Sequence, residues 1–271
     1  MATSTAFKLA ILIDADNAQP SMAAPLLVEV AKYGNARVKR AYGDWTGSEL
    51  KGWKEQLLKL SIQPIQQFAY THGKNSTDMA MIIDAMDLLY SGNFDGFCFV
   101  SSDSDFTRLA VRIRESELSV YGFGNRTTPG PFVAACDRFV YVENFAHPEQ
   151  HVVPVHQSVS AQKCALAAHV RKDDSLVRQL EAAVEASSDD DGWAALADVG
   201  SLVTKRHPDF DSRSYGYNKL SDLIRAMLLF EITPRSPGKG KPEALYVRVR
   251  GRGPVTTAKS SPHPDVAAGH C

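Results

Sequence analysis

The feature that most constrains this chain is an alternation. Between about residues 7 and 145, short apolar runs of strand type take turns with stretches whose apolar residues recur at helical spacing. The runs lie at 7–13, 36–42, 62–68, 97–100, 118–123 and 139–142. Between them, Leu26, Leu27, Val30 and Ala31 mark one helical face, and Leu50, Trp53, Leu57 and Leu60 a second. Met79, Ile82, Ile83, Met86 and Leu89 mark a third, Phe106, Leu109, Ala110 and Ile113 a fourth, and 132–135 reads as a short helix. Such an order predicts an α/β unit: a parallel or mostly parallel sheet with helices on both faces. Pro64 lacks an N–H for a sheet ladder, so the third strand belongs at or near an edge. Gly34 is expected to close the first helix and Gly92 the third, and Ser76 to cap the third.

Ligand sites in such folds lie beyond the carboxyl ends of the strands. Two strands here end in paired aspartates, Asp14 with Asp16 and Asp103 with Asp105, and Asp78 falls in the first turn of the helix after Ser76. Carboxylates gathered at one sheet edge repel one another unless a cation joins them, and all-oxygen donors suit magnesium or manganese. Two such ions support in-line attack of water on a phosphodiester. Each acid also has a plainer reading. Asp78 would complement a helix dipole, and Asp16, Asn17 or Asp103 would cap a helix. Asp14 ends a buried strand, where an unpaired charge is expensive. Asp44 ends the second strand as either a turn carboxylate or a member of the site. Asp84 and Asp87 suit a solvated face or structural pairing. His72, Lys74 and Arg126 sit in polar loops as phosphate contacts or ordinary surface residues.

From about residue 146 the alternation lapses into a Pro-, His-, Gln- and Ser-containing stretch that reads as a linker to 171. A second unit follows over 172–250, with helical faces at Leu176, Leu180 and Val184, at Trp193, Leu196, Val199, Leu202 and Val203, and at Leu220, Leu223, Ile224 and Met227. Residues 230–233 and 245–247 are placed to pair as a hairpin, and three helices with a hairpin describe a winged helix-turn-helix. Residues 251–271 lack periodicity and read as a disordered tail. The net charge of -1 hides a basic stretch of Arg235, Lys239, Lys241, Arg248, Arg250 and Arg252, either a phosphate patch or a solvated run. Cys98, Cys136, Cys164 and Cys271 show no zinc spacing, and Cys98 reads as a reduced core residue. With no signal-type segment and no apolar run of membrane-spanning length, a cytoplasmic protein without membrane contact is expected.

Ile13-Asp14-Ala15-Asp16-Asn17, Lys74-Asn75-Ser76-Thr77-Asp78 and Val100-Ser101-Ser102-Asp103-Ser104-Asp105-Phe106 resemble the motifs of the NYN domain, of the LabA-like branch of the PIN-like nuclease superfamily. The resemblance spans roughly 7–145, giving a domain over 1–145, and implies a PIN-like, Rossmann-type fold and a metal-dependent ribonuclease. It implies Asp14, Asp78 and Asp103 as ligands of Mg²⁺ or Mn²⁺, Asp105 as a further ligand or partner, and Asn17 as a supporting polar group. The segment from Phe210 to Leu223 resembles the OST-HTH, or LOTUS, module, whose members bind RNA and in some cases protein partners. There Tyr215 and Tyr217 are candidates to stack on bases and Lys219 to meet a phosphate, at the opening of the third helix; packing of the tyrosines under the wing is the alternative. Asn17, Lys74 and Arg126 complete the candidate RNA contacts. Two other functions compete: an RNA-binding adaptor with little turnover, and a phosphatase of the haloacid dehalogenase type. The phosphatase reading rests on Asp14-Ala15-Asp16, but Ala18 stands where that family expects Thr or Val, and no large cap insertion is evident.

Overall fold

A computed structural model describes residues 7–68, 76–145, 167, 170–236 and 243–251. Lys74, most of the connecting stretch before 171 and the tail after 251 lie outside these residues. Six strands, β1 (Lys8–Asp14), β2 (Asn35–Gly43), β3 (Gln63–Gln66), β4 (Gly96–Val100), β5 (Ser119–Gly124) and β6 (Arg138–Tyr141), form one sheet in the order β3-β2-β1-β4-β5-β6. Every neighbouring pair is parallel. The chain winds outward from β1 to β3, then returns to place β4 on the other side of β1. The topological switch point therefore lies between β1 and β4, where the two strand-end aspartate pairs emerge. The edge position of β3 agrees with Pro64.

Helices α1 (Ala23–Val30) and α2 (Trp53–Leu60) cover one face, and α3 (Ser76–Tyr90), α4 (Thr107–Glu115) and α5 (Gly130–Ala135) the other. The period of two in β1 supplies both cores. Leu9, Ile11 and Ile13 pack with α1 and α2, whereas Ala10 and Leu12 pack towards α3 and α4. Burying each Leu or Ile fully stabilises the fold by about 1.5–3 kcal/mol. Phe97, Phe99, Phe106, Phe132 and Phe139 stack in series at centroid spacings of 5.9–6.4 Å. This column braces the turn after β4 from behind. The first helix is shorter than its apolar pattern suggests: it follows a 3-10 turn at Pro20–Met22 and ends at Val30. Gly34 serves close approach instead, because a Cβ there would stand 2.4 Å from the Phe7 carbonyl oxygen. Gly92 does close α3, with φ +66°.

The second unit contains α6 (Asp174–Ser187), β7 (Ala194–Ala195), α7 (Leu196–Arg206), α8 (Leu220–Met227), β8 (Phe230–Arg235) and β9 (Ala244–Val249). Its three strands pair antiparallel in the order β7-β9-β8, over a separate core that includes Leu176, Leu180, Val199, Leu223, Ile224 and Val247. Asp173 caps α6 by accepting from the backbone N–H groups of Ser175 and Leu176 at 3.1 and 3.0 Å. Trp193 precedes α7 rather than joining it, and the guanidinium groups of Arg235 and Arg248 lie over its ring, 4.0 and 4.6 Å from the centroid. Arg248 also pairs with Glu231 at 2.7 Å. Arg250 donates its Nε to the Phe230 carbonyl at 3.2 Å, so three members of the basic stretch have structural work, and Lys239, Lys241 and Arg252 lie outside the described residues.

The two units meet along the β6 edge. The Phe139 N–H donates to the Pro208 carbonyl at 2.8 Å, which covers an otherwise exposed strand edge. Tyr141 donates its hydroxyl to Asp209 Oδ2 at 3.0 Å, and Asn144 Nδ2 donates to Ser214 Oγ at 3.0 Å. Arg213 grips Glu29 through both terminal nitrogens at 2.9 and 3.0 Å while also bonding Asp211. Burial raises the pKa of Glu29, but hydrogen bonds and charges from Arg213 and Lys32 outweigh it and hold the carboxyl at about 2.

Candidate active site

Asp14 is the last residue of β1 and is fully buried. Its Oδ2 accepts from Asn17 Nδ2 at 2.8 Å and from Ser101 Oγ at 2.9 Å, and its Oδ1 from the Asn17 N–H at 3.3 Å. Burial pushes its pKa up, and these hydrogen bonds offset only part of that. Ser101, buried just past β4, accepts in turn from the Asp103 N–H at 3.1 Å. One hydroxyl therefore bridges the ends of β1 and β4. Asp103 Oδ1 accepts from the Asp105 N–H at 2.8 Å, so Asp103 also caps the 3-10 turn at Ser104–Phe106.

Asp78 lies in the first turn of α3 and is 8% exposed. Its pKa is pushed up to about 6, first by burial and then by repulsion from Asp14, Asp103, Asp105 and Asp16. A carboxylate that only complemented the helix dipole would be favoured in its charged form; the shift of Asp78 has the opposite sign. Asp16 enters this field while accepting from Thr77 Oγ1 at 2.7 Å, which ties the loop after β1 to the start of α3. Five carboxylates thus converge from β1, α3 and the turn after β4.

The other candidates separate. Asp44 accepts from Thr46 Oγ1 at 2.6 Å and Gln66 Nε2 at 2.9 Å, as a turn carboxylate does. Asp84 pairs with Arg40 and the Tyr42 hydroxyl, a structural role. Asn17 is exposed beside Asp14. Arg126 is exposed after β5, over the Tyr141 ring at 5.4 Å. Tyr215 ends a 3-10 turn at Ser212–Tyr215, Gly216 follows at φ +80°, and Lys219 takes the N-cap position of α8. Tyr215, Tyr217 and Lys219 therefore precede the helix rather than open it. Both tyrosines are half-buried against the domain core, and Lys219 is exposed. Ser101 and Thr77, which bond Asp14 and Asp16, lie inside the motif stretches quoted above, and only the fold shows that they position acids.

The donor set is all oxygen, crowded and mutually repelling, which fits a hard divalent cation. Among the described residues, no three His, Cys, Asp or Glu side chains are drawn close enough to enclose a metal as they stand.

A family model described as the NYN domain matches residues 8–143. The chain belongs to the NYN family. A second model, the OST-HTH/LOTUS domain, matches 171–242. NYN is a nuclease-type domain of α/β, PIN-like fold, its relatives generally use divalent metal ions, and OST-HTH/LOTUS domains bind RNA and sometimes proteins. This NYN protein thus joins a nuclease-type unit to an RNA-binding module. No curated protein matches it. Among solved structures, a protein of unknown function from Vibrio parahaemolyticus is 19% identical, with a TM-score of 0.46, covering 54% of this chain and 98% of its own. An uncharacterized protein from Nitrosomonas europaea is 34% identical, with a TM-score of 0.25, covering 45% and 93%. Residues 175–257 of a Chromobacterium violaceum protein are 27% identical, with a TM-score of 0.25, covering 33% and 96%. No helix among the described residues is long and apolar enough to cross a membrane.

Proposed function

We propose that this protein is a metal-dependent ribonuclease that hydrolyses RNA phosphodiester bonds at the acidic edge of its NYN domain, with the OST-HTH domain recruiting the RNA. The observation that carries the reading is the convergence of Asp14, Asp78, Asp103 and Asp105 at the switch point between β1 and β4. These four would hold Mg²⁺ or Mn²⁺. When bound, such an ion activates a water and stabilises the leaving oxygen. The chain's own part is to hold the acids for that task. Asn17 and Ser101 fix the Asp14 carboxylate, Ser101 fixes the turn that carries Asp103, and the phenylalanine column keeps that turn from yielding. Arg126, Lys74, Tyr215, Tyr217 and Lys219 are the proposed RNA contacts, within a nuclease domain over 1–145 and an RNA-binding domain over 172–250.

The test is cleavage of labelled single-stranded RNA by purified protein, with and without Mn²⁺ or Mg²⁺, alongside Asp103→Asn. Cutting that requires metal and is lost in the variant is the expected result. Metal-dependent cutting that survives Asp103→Asn would remove the proposed site. RNA binding without cutting under either metal would favour an adaptor, and phosphate release from small monoesters with RNA intact would favour a phosphatase.

A further inference from the structure

The active edge does not stop at Asp105. The Asn125 N–H donates to Ser102 Oγ at 3.0 Å, so the loop after β5 is bonded to the loop that carries Asp103. Arg126 follows in that loop, and Tyr141 ends the next strand, β6. Tyr141 bonds Asp209 of the OST-HTH domain, and between the two domains lies a cleft of about 250 Å³. Arg126 and Tyr141 form one wall; Gln179, Asp209 and Tyr215 are among the residues of the other. Arg126 and Tyr141 stand at the carboxyl ends of β5 and β6, the same sheet edge as the acidic cluster. The cleft is displaced from β4 by two strand positions, or about 10 Å at ordinary sheet spacing.

Resting on the ribonuclease reading, we infer that this cleft is a composite subsite for one nucleotide of the RNA strand, with the base between the domains and its phosphate on Arg126. The chemistry of the walls divides in that way. Tyr141 and Tyr215 offer aromatic surface, and Gln179 and Asp209 offer amide and carboxylate groups of the kind that read base edges. Asp209 would repel a phosphate inside the cleft, which leaves the anion at the exposed mouth. There the Arg126 guanidinium lies over Tyr141, with an Asn144 contact at 3.3 Å. The volume is small beside the ~300–1,000 Å³ of typical small-molecule sites, and suits a single base. The walls are preorganised by contacts that cross the junction: Tyr141 with Asp209, Asn144 with Ser214, and Arg213 with Glu29. Neither domain contains this site alone, so the docking of the domains is part of RNA recognition.

The test is equilibrium binding of the full chain to labelled single-stranded RNA across a salt series, with Arg126→Gln and Gln179→Trp. The second variant fills the cleft from α6 without removing a bond across the junction. Both are expected to weaken binding, Gln179→Trp by about fivefold or more, the lower end for loss of one stacked base. Arg126→Gln should also reduce the slope of log affinity against log salt by about 0.7, the value for one single-strand phosphate contact. Wild-type affinity and slope in both variants would overturn the subsite. If Gln179→Trp melts early, Arg126→Gln decides alone, because its side chain is exposed. Cleavage by the wild type with no binding change in the variants would refute the subsite and leave the ribonuclease standing. Weakened binding in the variants with no cleavage by the wild type would do the reverse.

Discussion

Two clusters of carboxylates in this molecule have opposite fates. At the domain junction, Glu29 and Asp211 share the Arg213 guanidinium, and Glu29 is held at about 2. At the sheet edge, Asp78 is surrounded by Asp14, Asp103, Asp105 and Asp16 and rises to about 6. Burial acts in the same direction on both, so the difference lies in what stands nearby. A paired acid holds two domains together, while a crowd of acids is stored repulsion, which the proposed cation would relieve. Such a group weakens the fold it sits in, as functional sites commonly do.

The comparison breaks most visibly at Asp14. Asp14→Asn should reduce metal-dependent RNA cleavage by more than about 100-fold, since even outer partners of metal ligands cost 10–100-fold. The same variant should melt no lower than the wild type in metal-free buffer, because it removes a buried charge from the cluster. Arg213→Ala should do the opposite. It leaves the buried Glu29 with only Lys32 and Tyr33 as partners and strips Asp211 of its guanidinium, and breaking such a pair costs about 3 kcal/mol, read as a shift of the denaturant midpoint. Ser101→Ala removes the hydroxyl between Asp14 and Asp103. Its cleavage rate should fall about tenfold, as expected for a residue that orients a ligand, with little change in RNA affinity.

The smallest effect is in pH, and its sign separates the clusters. The folded pKa of Asp78 is raised, so the folded state binds its proton more tightly than the unfolded chain does. Its contribution to stability is present below the ordinary value of 3.8 and is lost as pH rises through about 6. The folded pKa of Glu29 is depressed from 4.5, so its contribution is present above that value and is lost as pH falls through about 2. In metal-free denaturation series, Asp78→Asn should flatten the slope between pH 4 and 6, a range set by the Asp78 shift. Glu29→Gln should flatten the slope below the ordinary carboxylate range.

Much of this architecture is legible in the residues. Strand–helix alternation and strand-end aspartates suffice for a parallel sheet with acids at its carboxyl edge, and Pro64 marks the edge strand. What escapes the sequence is pairing over distance. Arg213 and Glu29 stand 184 positions apart, and nothing local in either segment announces the other. Ser101 is one serine among several, and its bridging role exists only because β4 lies beside β1. Apolar periodicity also overextends elements. Trp193 has the spacing of a helical residue, yet it precedes β7, which pairs with β9 before α7 begins. Tyr215 and Tyr217 resemble the start of a helix, yet Gly216 at φ +80° delays it to Leu220.

We propose that the acids at the sheet edge form a cation site. This is tested most directly by thermal melting of the wild type and Asp14→Asn over a Mn²⁺ series. A ligand that binds only the folded state stabilises it by RT ln(1 + [L]/Kd), about 2.7 kcal/mol at 100 times Kd. The wild type should therefore melt progressively higher as Mn²⁺ rises, and Asp14→Asn should not follow. Equal shifts in both proteins, or none in the wild type, would mean that these acids do not bind the cation.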